Sequence, residues 1–376
     1  MNAAPRPVPS SPCYRTALLA SVFALGAAAG DIAPTVPGKI VLSGHPTAPG
    51  EAGRVIAHED GPFNFFPLTL CHGQNTCPQQ LVAMRRSNQG KPLSQQLHFI
   101  KVSIRTLQDG SWVVAHDDTQ YLIPFSDRAP GVVPPGATLL EHLPAGKKLL
   151  ALPRAGARPD YLVYDPTPAR QAAIAAGKLK TLPRLPRAQK ILAVTLSAIT
   201  SAQFDQYKAR YGDRFDVYRL RDYVAADAQG EFNYMLYFKT DPNPAIVDEI
   251  DALGINPRTV LESRSNRDAQ WVHEHQGTRG GIFFTGRVDS SPALAELLAQ
   301  APAYGPQLWA IEVEYNAETA ELVRQVNATR YVSHVDAMPY AQQEVFATGC
   351  RKTLVDIDSA MTMTSRPLDC LKLMQP

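Results

Sequence analysis

From residue 54 onward, short runs of apolar, β-branched and aromatic residues alternate with longer stretches whose apolar residues recur at three- and four-residue spacing. The runs at 54–58, 99–104, 112–116, 234–239, 259–262, 281–285, 308–314, 331–334 and 353–357 are bounded by turn residues, as strands buried on both faces are. Between the later runs, the stretches at 244–253, 268–275, 292–300, 317–326 and 341–347 are expected to be helical. Strand then helix, repeated, predicts an α/β fold with a parallel sheet. The run at 112–116 follows 99–104 too closely for a helical crossover and is expected to form a local hairpin-like excursion with it. The other eight runs match the number that closes a TIM (β/α)8 barrel.

One segment breaks the rhythm. Residues 124–216 are rich in Pro, Ala and Arg and carry Lys147, Lys148, Arg154, Arg158, Arg170, Lys178, Lys180, Arg184, Arg187 and Lys190. They are expected to form a large inserted subdomain after the hairpin. Its basic residues form either a solvated face or a site for phosphate groups, with peripheral membrane contact as one use. Across the whole chain the net charge is only +2, so nothing global calls for a nucleic-acid partner.

At the N-terminus, Arg6 and Arg15 precede an acid-free apolar run from 17 to 29 that ends in Ala27, Ala28 and Ala29. This predicts a signal peptide over 1–29, cleaved near Ala29, and export to the periplasm or the medium. The run falls short of the roughly 20 apolar residues of a membrane-spanning helix. Residues 30–53, dense in Pro and Gly, are expected to be an extended linker leading into a domain at 54–376. Cys13 would leave with the signal, and Cys71, Cys77, Cys350 and Cys370 would remain. Proximity suggests disulfides Cys71–Cys77 and Cys350–Cys370, among three possible connectivities.

The specific part of the sequence is two passages: Arg54-Val-Ile-Ala-His58, and the stretch from His98 to Thr119 that contains Lys101, Ser103 and His116. Together they resemble the glycerophosphodiester phosphodiesterases. That family's pattern is an I-A-H-R-G strand end, a P-E-N-T turn, an I-E-x-D-V strand and then T-x-D-G-x-x-V-V-x-H-D. The spacing from Lys101 to His116 matches the spacing from its glutamate to its second histidine. Tyr237-Phe-Lys-Thr240 and Thr364-Ser-Arg-Pro367 are further matches. The resemblance implies phosphodiester hydrolysis with His58 and His116 as general acid and base. Histidine suits this work because its pKa lies near neutrality.

The pattern departs at the metal site, where the family holds a divalent cation. Its strand carboxylates are Lys101 and Ser103 here, and the arginine after its first histidine is Glu59. Its turn glutamate aligns with Gln74, and a later glutamate is Tyr237. A hard cation wants several oxygen ligands, so no cofactor is expected, with a divalent cation left as an alternative that the carboxylate pair Glu312 and Glu314 could hold at a different site. Glu59 and Lys101 are expected to lie on adjacent strands. Either they form an ion pair, or Lys101 and Lys239 supply the positive charge that a metal otherwise would. The second arrangement resembles the bacterial phosphatidylinositol-specific phospholipases C. Lys101, Lys239, Glu59 and His334 are thus the expected substrate-binding residues. His334 and Asp336 would border the pocket, Glu312 and Glu314 point the same way along one strand, and Asp117 and Asp118 would orient the loop after His116. His273 and His275 lack metalloprotease spacing and are expected at the surface.

The expected substrate is a small-molecule or lipid-derived phosphodiester. The competing expectation is an inactive barrel that binds a phosphate-bearing ligand. A purely structural envelope protein ranks last.

Overall fold

The computed structural model of the protein describes residues 55–57, 77–92, 96–123, 132–152, 160–164, 180–182, 184–185, 190–262, 266–276, 282–336, 350–364 and 370–371, to which every structural statement refers. The expected signal peptide, the linker, His58, Glu59, Cys71, the helix at 341–347 and most of the Thr364–Pro367 motif lie outside them. The described residues all belong to one compact unit, which falls within Asp31–Pro376.

In chain order the strands are β1 (Val55–Ala57), β2 (Phe99–Thr106), β3 (Trp112–Val114), β4 (Thr119–Leu122), β5 (Ala137–Leu140), β6 (Lys148–Leu152), β7 (Asp160–Tyr164), β8 (Lys180–Leu182), β9 (Ile191–Thr195), β10 (Tyr218–Arg219), β11 (Asn233–Phe238), β12 (Thr259–Glu262), β13 (Phe283–Val288), β14 (Leu308–Val313), β15 (Val332–Asp336) and β16 (Met361–Thr364). The main sheet is mostly parallel and runs β1-β16-β15-β14-β13-β12-β11-β2-β3-β10, with β1 also paired to β2. Hence β1, β2 and β11 to β16 each have a parallel neighbour on both sides. The expected hairpin is present: β2 and β3 pair antiparallel, and β10 adds to β3 antiparallel.

Parallel strands covered on both faces are near-continuous apolar runs, and β14 is buried throughout with Glu312 its one polar residue. Helices Ala245–Ala252, Ser291–Tyr304 and Thr319–Asn327 present Ile246, Val247 and Ile250, Leu294, Leu297 and Ala301, and Leu322, Val323 and Val326 to the core. Each fully buried aliphatic side chain contributes about 1.5–3 kcal/mol. At Gly286 in β13 an added Cβ would fall 2.4 Å from the Leu297 side chain, so a larger residue there would push that leucine aside.

Two expectations change. Residues 353–357 are not the eighth strand: Lys352–Asp356 is a turn of π-helix, and β16 at Met361–Thr364 takes the place beside β1 and β15. A short apolar run has no period that separates strand from helix, and the true strand is half threonine. The Pro- and Arg-rich segment also contains strands that the pattern did not reveal. Together with β4, which precedes the segment, they form two three-stranded antiparallel sheets, β4-β9-β5 and β7-β6-β8. Helix Ser201–Tyr211 follows, started by a capping box between Thr200 and Gln203.

Cys350 and Cys370 form a disulfide as expected, with Cα atoms 5.5 Å apart. Cys77 is disulfide-bonded to a residue outside the described set. Among the described residues no helix is long and apolar enough to cross a membrane.

Candidate functional site

The β2–β3 hairpin places His116 just beyond the end of β3. The amide of Ala115 donates to Ser103 O at 3.0 Å, and Arg105 Nε donates to the carbonyl of His116 at 2.8 Å, which fixes the backbone there. The imidazole is held on both sides: Nδ1 lies 2.8 Å from Asp117 Oδ1, and Nε2 lies 2.9 Å from Lys239 Nζ. A carboxylate accepts and an ammonium donates. Only the neutral ring with its hydrogen on Nδ1 satisfies both partners.

The hydrogen bond from His116 holds the Asp117 carboxyl down to about 2, with Lys147 adding a smaller pull. Lys147 precedes β6, within the Pro- and Arg-rich segment, and its Nζ lies 3.5 Å from Asp117 Oδ2. That segment therefore contributes a cation beside His116. Asp118 turns away and accepts from the amide and hydroxyl of Ser197, so of the two aspartates only Asp117 orients the ring.

Lys239 follows β11, where its amide donates to Ile104 O at 3.0 Å. Its ammonium lies 4.5 Å from the centre of the Tyr237 ring, and Lys101 Nζ lies 4.2 Å from the same centre. Burial pushes the Tyr237 phenol up, so it stays neutral. Lys101 Nζ donates to Glu262 Oε1 at 3.0 Å in a pair closed to solvent, with side-chain exposures of 7% and 0%.

Further acid and base groups lie beyond Glu262. Arg287 Nε donates to Glu314 Oε1 at 2.5 Å, and its Nη1 is 3.8 Å from Glu312 Oε1. Burial works against the charge on Arg287, but Glu312 and Glu314 outweigh it and keep the guanidinium protonated. Burial pushes Glu262 up to about 7, opposed by Lys101 and reinforced by Glu312. Glu312 is raised for the same first reason. His334, in register with Glu312 on the next strand, is driven down to about 4 by burial and is neutral at ordinary pH.

The structure thus gathers His116, Lys239 and Lys101 around Tyr237. His334 is corrected from a rim residue to a wholly buried one. Lys101 pairs with Glu262, which the sequence reading did not single out, while Glu59 and His58 lie outside the described residues. Arg287 was also missed, although a guanidinium within the apolar β13 was a visible signal. His273 packs edge-on against Tyr304, and His275 is exposed and stacked on Trp271. Among the described residues no group of three or more His, Cys, Asp or Glu side chains is placed to hold a metal ion. At the resembling family's ligand positions stand an ammonium, a hydroxyl and a phenol, at Lys101, Ser103 and Tyr237.

No protein-family model and no curated protein sequence matches the chain. The solved structures similar to it include a glycerophosphoryl diester phosphodiesterase from Parabacteroides distasonis, 11% identical over 87% of this chain and 88% of that one, with a TM-score of 0.48. A glycerophosphodiester phosphodiesterase from Agrobacterium tumefaciens is 14% identical over 85% and 99%, with a TM-score of 0.44. A phosphodiesterase from Oleispira antarctica, solved with the product sn-glycerol-3-phosphate, is 11% identical over 86% and 97%, with a TM-score of 0.42. Likenesses this distant leave the activity to be argued from the chain's own residues.

Proposed function

We propose that this protein is an exported phosphoric diester hydrolase in which ammonium groups do the electrostatic work of a divalent cation. The observation that carries the reading is the arrangement of Asp117, His116, Lys239, Tyr237 and Lys101, each in contact with the next. A phosphodiester is an anion, and its attack by water builds charge on the non-bridging oxygens. Fixed cations stabilise that charge. A phosphoryl group that competes for the Lys239 ammonium leaves the Nε2 lone pair of His116 able to take a proton. Asp117 stabilises the imidazolium that results, through Nδ1–H. Water then forms the new P–O bond, the ester P–O bond breaks, and the departing alkoxide receives a proton. His58 is proposed as the partner in this exchange, on the resemblance of its motif.

Among the described residues, Lys101, Ser103 and Tyr237, at the resembling family's ligand positions, do not suit its divalent ion. The unbroken cycle of parallel pairings supports a closed (β/α)8 barrel, and the disulfide Cys350–Cys370 fits an oxidising compartment. A lipid-derived diester is the proposed substrate.

One observation favours a second reading, an inactive barrel that binds a phosphate-bearing ligand: His116 Nε2 is already engaged by Lys239. Hydrolysis of glycerophosphocholine and bis-p-nitrophenyl phosphate by the mature protein, with and without calcium, magnesium and chelator, separates the two. The proposal expects turnover that survives chelation and is abolished by His116→Ala. An absence of turnover under every condition refutes the hydrolase.

A further inference from the structure

Beside Lys101 lie two carboxyl groups whose hydrogen bonding is incomplete. Glu262 is 0% exposed and Glu312 is 5% exposed. Glu262 accepts from Lys101 through Oε1, and Arg287 approaches Glu312 Oε1. In each residue the other oxygen, Oε2, is sealed from solvent and has no hydrogen-bond partner. The two side chains are within hydrogen-bonding reach of one another.

Buried polar atoms without partners are rare, yet one sits on each of these two neighbouring acids, as on both ring nitrogens of His334, which faces them. A carboxylate can only accept, so two ionised groups could never satisfy each other. One added hydrogen turns one Oε2 into a donor and the other into its acceptor. We propose that Glu262 and Glu312 hold a single proton between their Oε2 atoms, and that this proton sets how strongly Lys101 and Lys239 attract an anion. The second half rests on the anion site proposed above.

The titratable groups around the dyad come from every neighbouring strand: Lys101 from β2, Tyr237 from β11 with Lys239 over its ring, Arg287 from β13 with Glu314 paired to it, and His334 and Asp336 from β15. Tyr237 and His334 are neutral. With one proton on the dyad, three cations stand against three acids. Without it the acids are in excess, and Lys101 is bound more tightly into the interior. Two adjacent carboxylates in a medium of low dielectric resist full ionisation, and burial raises both groups, in agreement with this count.

The test uses the intact mature chain with Glu262→Gln and Glu312→Gln, either of which suffices should the other fail to fold. Infrared difference spectra against each variant should show a protonated-carboxyl C=O band at about pH 6 that disappears as pH rises through about 7. The subtraction removes Glu249, which burial also raises to about 7. In parallel, calorimetry measures binding of dimethyl phosphate, a diester anion that does not titrate in this range. Its affinity for the wild type should fall roughly tenfold between about pH 6 and 9, the scale set by one unit charge about 12 Å away under an effective dielectric near 20. It should stay flat in both variants.

Absence of the band, or its persistence in both variants, overturns the shared proton. A band that titrates while affinity stays constant overturns the coupling. If dimethyl phosphate binds at no pH, the anion site fails and the coupling with it, while the band still decides the shared proton.

Discussion

Replacing Lys101 by methionine removes a buried charge while keeping much of the side-chain volume, and its effect on stability should depend on pH in a specific way. In the wild type, Glu262 titrates at about 7 in the fold against 4.5 in the open chain. The folded state therefore holds more protons between those values, and stability falls by about 3 kcal/mol as pH rises through that window. Above it the carboxylate is ionised in both states and the curve levels off. Lys101 is what opposes the effect of burial on Glu262. Without it the carboxyl stays protonated past pH 7, and each further pH unit costs the variant about 1.4 kcal/mol that the wild type does not lose.

Below about pH 6 both proteins carry Glu262 neutral, so this term vanishes. What remains there is a pH-independent offset from exchanging an ammonium for a thioether, with a sign that depends on relieved desolvation against a lost hydrogen bond. Urea unfolding followed by the fluorescence of buried Trp112 and Trp309 reads the difference. The gap between variant and wild type should widen by about 1–3 kcal/mol from about pH 6 to 9, and shrink by at least half in a Glu262→Gln background. A gap that is constant with pH, or equal widening without Glu262, refutes the account of this ion pair.

Asp117→Asn removes the carboxylate that orients His116. It should lower kcat on the order of 10²-fold with KM little changed, and a loss confined to KM would place Asp117 outside proton transfer. Cys350→Ser with Cys370→Ser opens a loop with a sequence separation of 20 and should cost about 3 kcal/mol in chemical unfolding; unchanged stability would show that the disulfide constrains nothing. Gly136 has φ +71°, and an added Cβ would lie 2.2 Å from Ile199, so Gly136→Ala should cost about 1–3 kcal/mol and visibly lower the melting temperature. No shift would mean that β5 and the 196–199 turn are less tightly joined than described.

Much of the parallel sheet was legible because its strands are short apolar runs between turns, and β2, β3, β11, β12 and β14 fall close to where the pattern puts them. The last strand was not, because Thr-Leu-Val-Asp-Ile reads as more strand-like than Met-Thr-Met-Thr. Packing against β1 and β15, rather than composition, chooses between them. The strand Ile191–Thr195 was hidden by its surroundings, a basic and proline-rich segment that masks a five-residue run buried up to its last residue.

His116, Lys239 and Lys101 could be picked out from their motif spacing and Asp117 from its place after His116, but Glu262 could not. Lys101 and Glu262 are 161 residues apart and meet only because β11 alone separates their strands. His334 followed the rule that strand ends carry chemistry, yet its side chain is buried within the sheet's polar interior. One residue's position along a strand does not reveal how deep its layer lies.

Tyr237 stands where the resembling family has a glutamate, and the exchange has an electrical consequence. A carboxylate beside two ammonium groups would draw them in by cancelling part of their charge. An aromatic face draws them in through its quadrupole and cancels none of it. Position 237 thus subtracts nothing from the field the two ammonium groups offer an anion, and only Glu262, on the far side of Lys101, does. Graded fluorination of the ring at position 237 would weaken the hold on both lysines together while leaving the formal charge untouched.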